Sequence, residues 1–200
     1  MSQGNLGPGS TGVVVDSKRS FADRLFGALK LDATVYEEVE HDPTALSQAA
    51  LVVALGAFAQ GAGMASDGGQ GAVVAGIVGA FLGWFLGTAI VWIIGVKIMK
   101  HTSDYPELLR TLGFASAPSL LFALGVLPLG SLRGVVAVAV WLLTTIAYVI
   151  ATRQALDVTT GRAVFICVLA SLAPVLLVFV ISMFVIGAAG VTGAPGAMAP

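Results

Sequence analysis

Charged side chains are scarce in this sequence: Lys and Arg number 10 and Asp and Glu 11, together 10% of 200 residues, against roughly a quarter in a soluble domain. Hydrophobic residues make up 57% and the mean hydropathy is +0.95, so water is not the main solvent of this chain. The net charge of −1 leaves no global field to attract nucleic acid or a strongly charged substrate, and nucleic acid is excluded as a partner. There is one cysteine, Cys167, within an apolar run, so an intrachain disulfide is impossible and the redox compartment is unread; it reads as a small packing residue. The opening MSQGNLGPGSTG lacks the basic start and quick apolar run of a signal peptide, which leaves targeting to the first span.

Catalytic signatures are missing as well. No Gly-rich phosphate loop, zinc-ligand spacing or nucleophile elbow occurs, so the expectation is a non-enzymatic protein with no cofactor or metal. The two histidines, His41 and His101, fall near Asp42, Asp104 and Glu38. Lone histidines at such boundaries read as solvated polar tips before they read as metal ligands. No apolar run carries a deeply placed charge, which argues against a proton-driven transporter or ion pump. Gln60, Thr144 and Thr145 are the most polar interior residues, and the threonines are expected to return their hydroxyls to the preceding helical turn.

What the chain has in abundance is apolar runs of about 20 residues, the length of a membrane-spanning helix. Five are expected, at about 45–65, 71–98, 108–129, 134–151 and 163–186. The last holds sixteen Val, Leu, Ile or Phe residues and inserts by itself, whereas the first holds six, with Gln48, Gln60 and three glycines, and is expected to enter as a hairpin with the second. Lys18, Arg19, Arg24 and Lys30, then Lys97, Lys100 and Arg110, then Arg153 and Arg162 all fall on one side of such a bundle, with only Arg133 opposite. The positive-inside rule then places the N-terminus in the cytosol and the C-terminus across the membrane. The fold class is all-α, an integral membrane five-helix bundle with an N-terminal amphipathic cytosolic helix. Its domains are a flexible tail (1–17), the amphipathic interfacial helix and acidic segment (18–43), the spanning domain (44–187) and a non-cytosolic tail (188–200).

The cytosolic side carries the recognisable local chemistry. Ser20 and Asp23 form a capping box, after which Phe21, Ala22, Leu25, Phe26 and Leu29 share one helical face and Arg19, Asp23, Arg24 and Lys30 lie mainly on the other. Either this helix lies on anionic lipid headgroups or the same face docks on the ends of the bundle. An acidic stretch, Glu37, Glu38, Glu40 and Asp42, leads into the first span, where Asp42 and Pro43 read as N-cap and first helical residue. Asp104 and Glu107 start the third span in the same manner. Bases at Lys97, Lys100 and Arg153 close helices there, so much of the charge complements helix dipoles. Gly79, Gly83 and Gly87 form a small-residue seam in the second span, read first as packing inside the bundle and second as a homo-oligomer contact. Pro118 and Pro174 are expected to bend the third and fifth spans.

Three segments, RLFGALKLDATVYEEVEHDPTALSQA, YPELLRTLGFASAPSLLF and VWLLTTIAYVIATRQALDVTTGRAV, together resemble the Yip1 family, especially its prokaryotic branch, over most of residues 20–187. Gly113, Phe114, Ala115 and Pro118 resemble its third-span pattern, and Trp141 with Arg153, Gln154, Ala155, Leu156 and Asp157 its fourth-span ending. The resemblance implies five spans and a cytosolic N-terminus, and for eukaryotic members Golgi or endoplasmic-reticulum residence with binding to Rab GTPases and to one another. The Asp-Leu-Tyr-Gly-Pro-like motif common in their N-terminal regions is absent here. For a prokaryotic chain the resemblance implies the plasma or inner membrane.

Two functions compete. The first is a membrane adaptor or organiser binding membrane or cytosolic proteins, or membrane lipid, through a cytosolic surface of Arg19, Arg24, Glu38, Glu40, Asp42, Arg110, Arg153, Gln154 and Asp157. Arg153 and Asp157, four apart, are expected to pair on one helix. The second is a passive channel or small-solute transporter lined by the glycine-rich span and gated at the prolines.

Overall fold

The computed structural model describes the backbone of residues 18–63 and 65–192, with side chains except at 63, 65–73, 75, 175, 177–181 and 184–192. The tail expected at 1–17 and the end of the one expected at 188–200 lie outside the described residues.

Two short helices precede the apolar ones. Ser20 caps α1 (Phe21–Leu29) by accepting from the Asp23 amide at 3.2 Å. Asp32 caps α2 (Ala33–Glu40) by accepting from Thr34 N at 3.0 Å. The second helix lies where the sequence suggested only an acidic segment. Its signal was present in the Asp32 cap and in Val35, Tyr36 and Val39, which recur on one helical face and are all fully buried.

The apolar helices follow: α3 (Ala45–Gly63), α4 (Ala65–Trp92) continued by a π-helical segment Ile93–Ile98, α5 (Tyr105–Ala115) continued by a 3₁₀ stretch Ala117–Val126, α6 (Leu132–Ala155) and α7 (Thr160–Thr192). Four stretches are long and apolar enough to cross a membrane: Ala45–Ala62, Gly76–Ile98, Tyr105–Val126 and Leu132–Ala155. In α7 the apolar part with described side chains is the shorter Thr160–Pro174. Their outward faces carry Leu82, Leu86, Val138, Trp141 and Phe165, each more than half exposed. A soluble protein does not present so continuous an apolar exterior, whereas hydrocarbon accepts it without cost.

Local sequence explains the joints. Asp104 and Glu107 close a reciprocal capping box on α5, Glu107 N to Asp104 Oδ1 at 2.7 Å and Asp104 N to Glu107 Oε2 at 2.8 Å. This starts the helix at Tyr105, three residues before the expected span. Pro118, whose ring cannot donate to a helical carbonyl, stands at the start of the 3₁₀ stretch, so the third span changes helical type beside it. Past the ends of α1, the π segment and α6, Leu31, Lys100 and Asp157 adopt φ of 62°, 63° and 48°, the left-handed conformation that ends helices and usually belongs to glycine. Asp157 therefore lies beyond the last turn of α6 and forms no pair with Arg153, which instead donates to Gln154 Oε1 at 2.9 and 3.1 Å.

Glycines pack, but not where their spacing pointed. A Cβ on Gly79, Gly83 or Gly87 would meet nothing within 4 Å, so among the described residues this seam is open rather than closed inside the bundle. The close approaches are elsewhere. A Cβ on Gly113 would stand 2.7 Å from Ala49 Cβ and 3.1 Å from Trp84 Cζ2, and one on Gly95 would stand 2.6 Å from Leu156 Cδ1. Trp84, 5% exposed, donates from Nε1 to Leu109 O at 3.0 Å and so ties α4 to α5 at this point.

Candidate functional site: a charged cap on the helix ends

The cap consists of α1, α2 and the residues flanking them. Ala28, Val35, Tyr36 and Val39 are fully buried, the Phe21 ring meets Phe114 edge-on with centroids 6.5 Å apart, and the Tyr36 hydroxyl donates to Ala28 O at 3.3 Å. α1 rests on the bundle through Phe21, Arg24 and Ala28, whereas Ala22 and Phe26, from the apolar face expected to be covered, are exposed.

Arg24 sits at the centre, 0% exposed. Its Nε and Nη2 donate to Glu38 Oε1 at 3.0 and 2.8 Å, and Nη1 donates to Gln48 Oε1 at 3.0 Å. Nη2 also lies 2.8 Å from Asp42 Oδ2, although that oxygen accepts no directed hydrogen bond; the contact is an ion pair. A guanidinium suits this place because its planar fork reaches several acceptors at once. One side chain thereby joins α1, α2, the α2–α3 joint and α3.

Other partners close the network. Lys18 Nζ lies 2.6 Å from Asp42 Oδ1 and donates to Thr44 Oγ1 at 3.1 Å. Asp42 Oδ1 also accepts from Thr44 N and Oγ1, at 3.0 and 2.7 Å, a turn that leads into α3, which starts at Ala45 and not at Pro43 as expected. Burial pushes the Asp42 carboxyl up, but Lys18, the hydrogen bonds from Thr44 and the Arg24 guanidinium outweigh it and hold the group well below the ordinary range. Arg19, partly exposed, donates to Thr34 Oγ1 at 2.9 Å and lies 3.5 Å from Glu38 Oε2 and 3.7 Å from Asp32 Oδ2.

Arg110 fastens the cap from below. It is 8% exposed and donates to the carbonyls of Val39 at 3.1 Å and of Glu40, the last residues of α2, where carbonyls lack helical partners and the dipole is negative. Glu40 beside it is also 8% exposed, and burial raises its carboxyl to about 7. His41 is exposed, with Nδ1 2.9 Å from Glu37 O.

The nine residues expected to form a recognition surface therefore divide. Arg24, Glu40, Asp42 and Arg110 are buried, a correction to their reading as surface groups: Arg24 and Asp42 meet opposite charges inside the cap and Arg110 meets the end of α2, while Glu40 is carried inward with that helix end. Arg19, Glu38, Arg153 and Gln154 are partly exposed but engaged with one another or with neighbours, and Asp157 is exposed. Sequence reasoning missed Lys18, Asp32, Thr34, Thr44 and Gln48 as members of the network. Asx-type spacing, Asp32 with Thr34 and Asp42 with Thr44, was the available signal for three of these five. Among the described residues no three His, Cys, Asp or Glu side chains gather in a way that would hold a metal ion.

This arrangement, a short polar cap leading into a capped α5 and a set of apolar spans, coincides with a family match: the model of the Yip1 domain matches residues 32–183. The chain belongs to the Yip1 domain family. The match begins at the Asp32 cap of α2 and ends within α7, so α2 and its carboxylates are part of the Yip1 domain, whereas Lys18, Arg19 and Arg24 come from residues ahead of it and are built onto it. No curated protein and no solved structure matches the chain. The protein is thus a Yip1-domain membrane protein with several apolar helices.

Proposed function

We propose that this Yip1-domain protein is a non-enzymatic membrane organiser whose cap presents a docking face to a protein partner at the cytosolic surface. In this reading α7 is the fifth span, since 33 helical residues extend about 50 Å, beyond the ~30 Å hydrocarbon core. The N-terminus then lies in the cytosol and the C-terminus across the membrane, as the distribution of Lys and Arg requires. The observation that carries the reading is Phe26. Its ring is 60% exposed on α1, while the opposite side of the same helix is fastened through Arg24.

Beside Phe26 runs a groove of ≈ 380 Å³ lined by Arg19, Asp23, Gly27, Lys30, Asp32 and Val35. Two cations and two anions line it. An anionic membrane surface would favour cations alone, whereas an exposed aromatic ringed by both signs suits a protein segment with an anchor residue and a polar rim. The fastened back of α1 adds to this, because a rigid face loses little freedom on binding.

A photoreactive residue at Lys30, activated in native membranes, tests it. A discrete protein adduct that disappears in the Phe26→Ala background is the expected result. Adducts to lipid alone, or a pattern indifferent to Phe26, would remove the protein-docking reading.

A further inference from the structure

A second site lies at the far end of α2. Glu40, its last residue, is 8% exposed, and it stands eight residues, about 12 Å, along the helix from Asp32 and the groove beside Phe26. Three carboxylates of the cap are paired, Glu38 and Asp42 with Arg24, Arg19 and Lys18, and Asp32 with Arg19. The Glu40 side chain has neither an ion-pair partner nor a hydrogen bond among the described residues. Bases on the neighbouring elements are engaged elsewhere: Arg110 of α5 with the carbonyls of Val39 and Glu40, Arg153 of α6 with Gln154, and Arg24 of α1 with Glu38 and Asp42. Among the described residues, the side-chain atoms closed off from solvent without a partner belong to Arg19, Asp42 and Thr88. The Glu40 oxygens are not among them, so a buried stem ends in a carboxylate whose tip meets the surface.

The rim of that opening is acidic. Glu37, one turn back on α2, and Asp157, past the end of α6, are exposed, and Glu107 of α5 is partly so. Burial, and after it the like charges of Glu107, Asp157 and Glu37, outweigh the opposing His41 and raise the Glu40 carboxyl to about 7; above neutrality it carries its charge. An ionised carboxylate withdrawn from water without a counter-charge is costly, and a cation that reaches it relieves the cost. No three His, Cys, Asp or Glu side chains among the described residues gather closely enough to hold a metal ion. A guanidinium fits better. Its planar fork of five donors serves carboxylates that stand apart, as Arg24 does inside the cap, and it is more weakly hydrated than an ammonium, which suits a part-buried place. We propose that this site takes an arginine side chain of a protein partner, the Glu40 carboxylate accepting the guanidinium while Glu37 and Asp157 form its rim. Phe26 and Lys30 have no part in it, so it is a contact separate from the groove on α1.

Full-length protein in phosphatidylcholine nanodiscs, titrated with a capped fluorescent pentapeptide bearing one arginine among neutral residues, tests this by anisotropy at pH 6 and pH 8. Saturable binding is expected at pH 8 and about tenfold weaker binding at pH 6, the ratio of ionised Glu40 at the two values. Glu40→Gln, which keeps the shape and removes the charge, weakens binding at pH 8 severalfold, up to about tenfold, and removes most of the pH dependence, the remainder belonging to His41. Glu37→Gln, which takes the same charge from an exposed position, weakens it less than about twofold and keeps the pH dependence. Absence of binding by the wild type at pH 8, equal effects of the two substitutions, or an unchanged pH dependence in Glu40→Gln overturns the proposal. Loss of peptide binding when phosphatidylethanolamine replaces phosphatidylcholine overturns it too, by assigning the site to a lipid ammonium.

Discussion

Replacing Arg24 by methionine would leave Glu38 and Asp42 facing each other across a buried site without their shared cation. Removing one partner of a buried pair costs about 3–5 kcal/mol because the stranded charge remains; the partly open Glu38 places Arg24→Met near the lower end of that range, read as a lower melting temperature in detergent. Two neighbouring carboxylates give opposite pH dependence. Asp42 is held below its ordinary 3.8, so the stability it supplies is present above that pH and is lost in more acidic solution. Glu40 is raised from 4.5 to about 7; the folded state binds the extra proton, so stability falls as pH rises from about 4.5 to about 7. Glu40→Gln is expected to flatten that alkaline decline, worth on the order of 1–3 kcal/mol by pH 8. His41, raised above 6.5 by its contact with the Glu37 carbonyl and the nearby acids, contributes a loss in the same direction that survives the Glu40 substitution. Melting temperatures of both proteins from pH 4 to 8 check these signs. An unchanged slope would place Glu40 in water.

Among the elements, glycine shows how spacing and contact part company. Gly79, Gly83 and Gly87 recur every four residues, yet a side chain at Gly79 would meet open space, and Gly79→Leu is expected to change stability by less than about 0.5 kcal/mol. Gly113 has no such repeat around it, but Ala49 and Trp84 stand within 3.1 Å of where its Cβ would be. Gly113→Val therefore overpacks the α3–α4–α5 contact and costs about 1–3 kcal/mol, checked by thermal melting of both variants. The elements that local rules govern were legible: the Ser20 and Asp104 side chains cap their helices as their sequences imply, and hydropathy located the four stretches long and apolar enough to span. The inward turn of Arg24 and Arg110 was not. A charged residue near a helix end defaults to the surface, and only tertiary placement of α2 over α5 reveals that Arg110 serves the last carbonyls of another helix. Left-handed joints at Leu31, Lys100 and Asp157 were equally hidden, since none carries the glycine that would have announced it.

At the scale of the whole molecule, a Yip1-domain membrane bundle carries a cap that is fastened from inside and presents one apolar ring outward. The cap, most of the bases and the proposed docking face share one end, and the proposed function at the cytosolic surface requires that end to be cytosolic. Composition carried the membrane assignment because hydrocarbon tolerates the exposed Leu82, Leu86 and Trp141 that water would not. Orientation rests on the sidedness of ten basic residues alone. Alkaline phosphatase, active only outside the cytosol, fused after Pro200 is the most direct measurement. The account requires an active enzyme there and an inactive one when the same reporter follows Lys100; activity after Lys100 with none after Pro200 would contradict it.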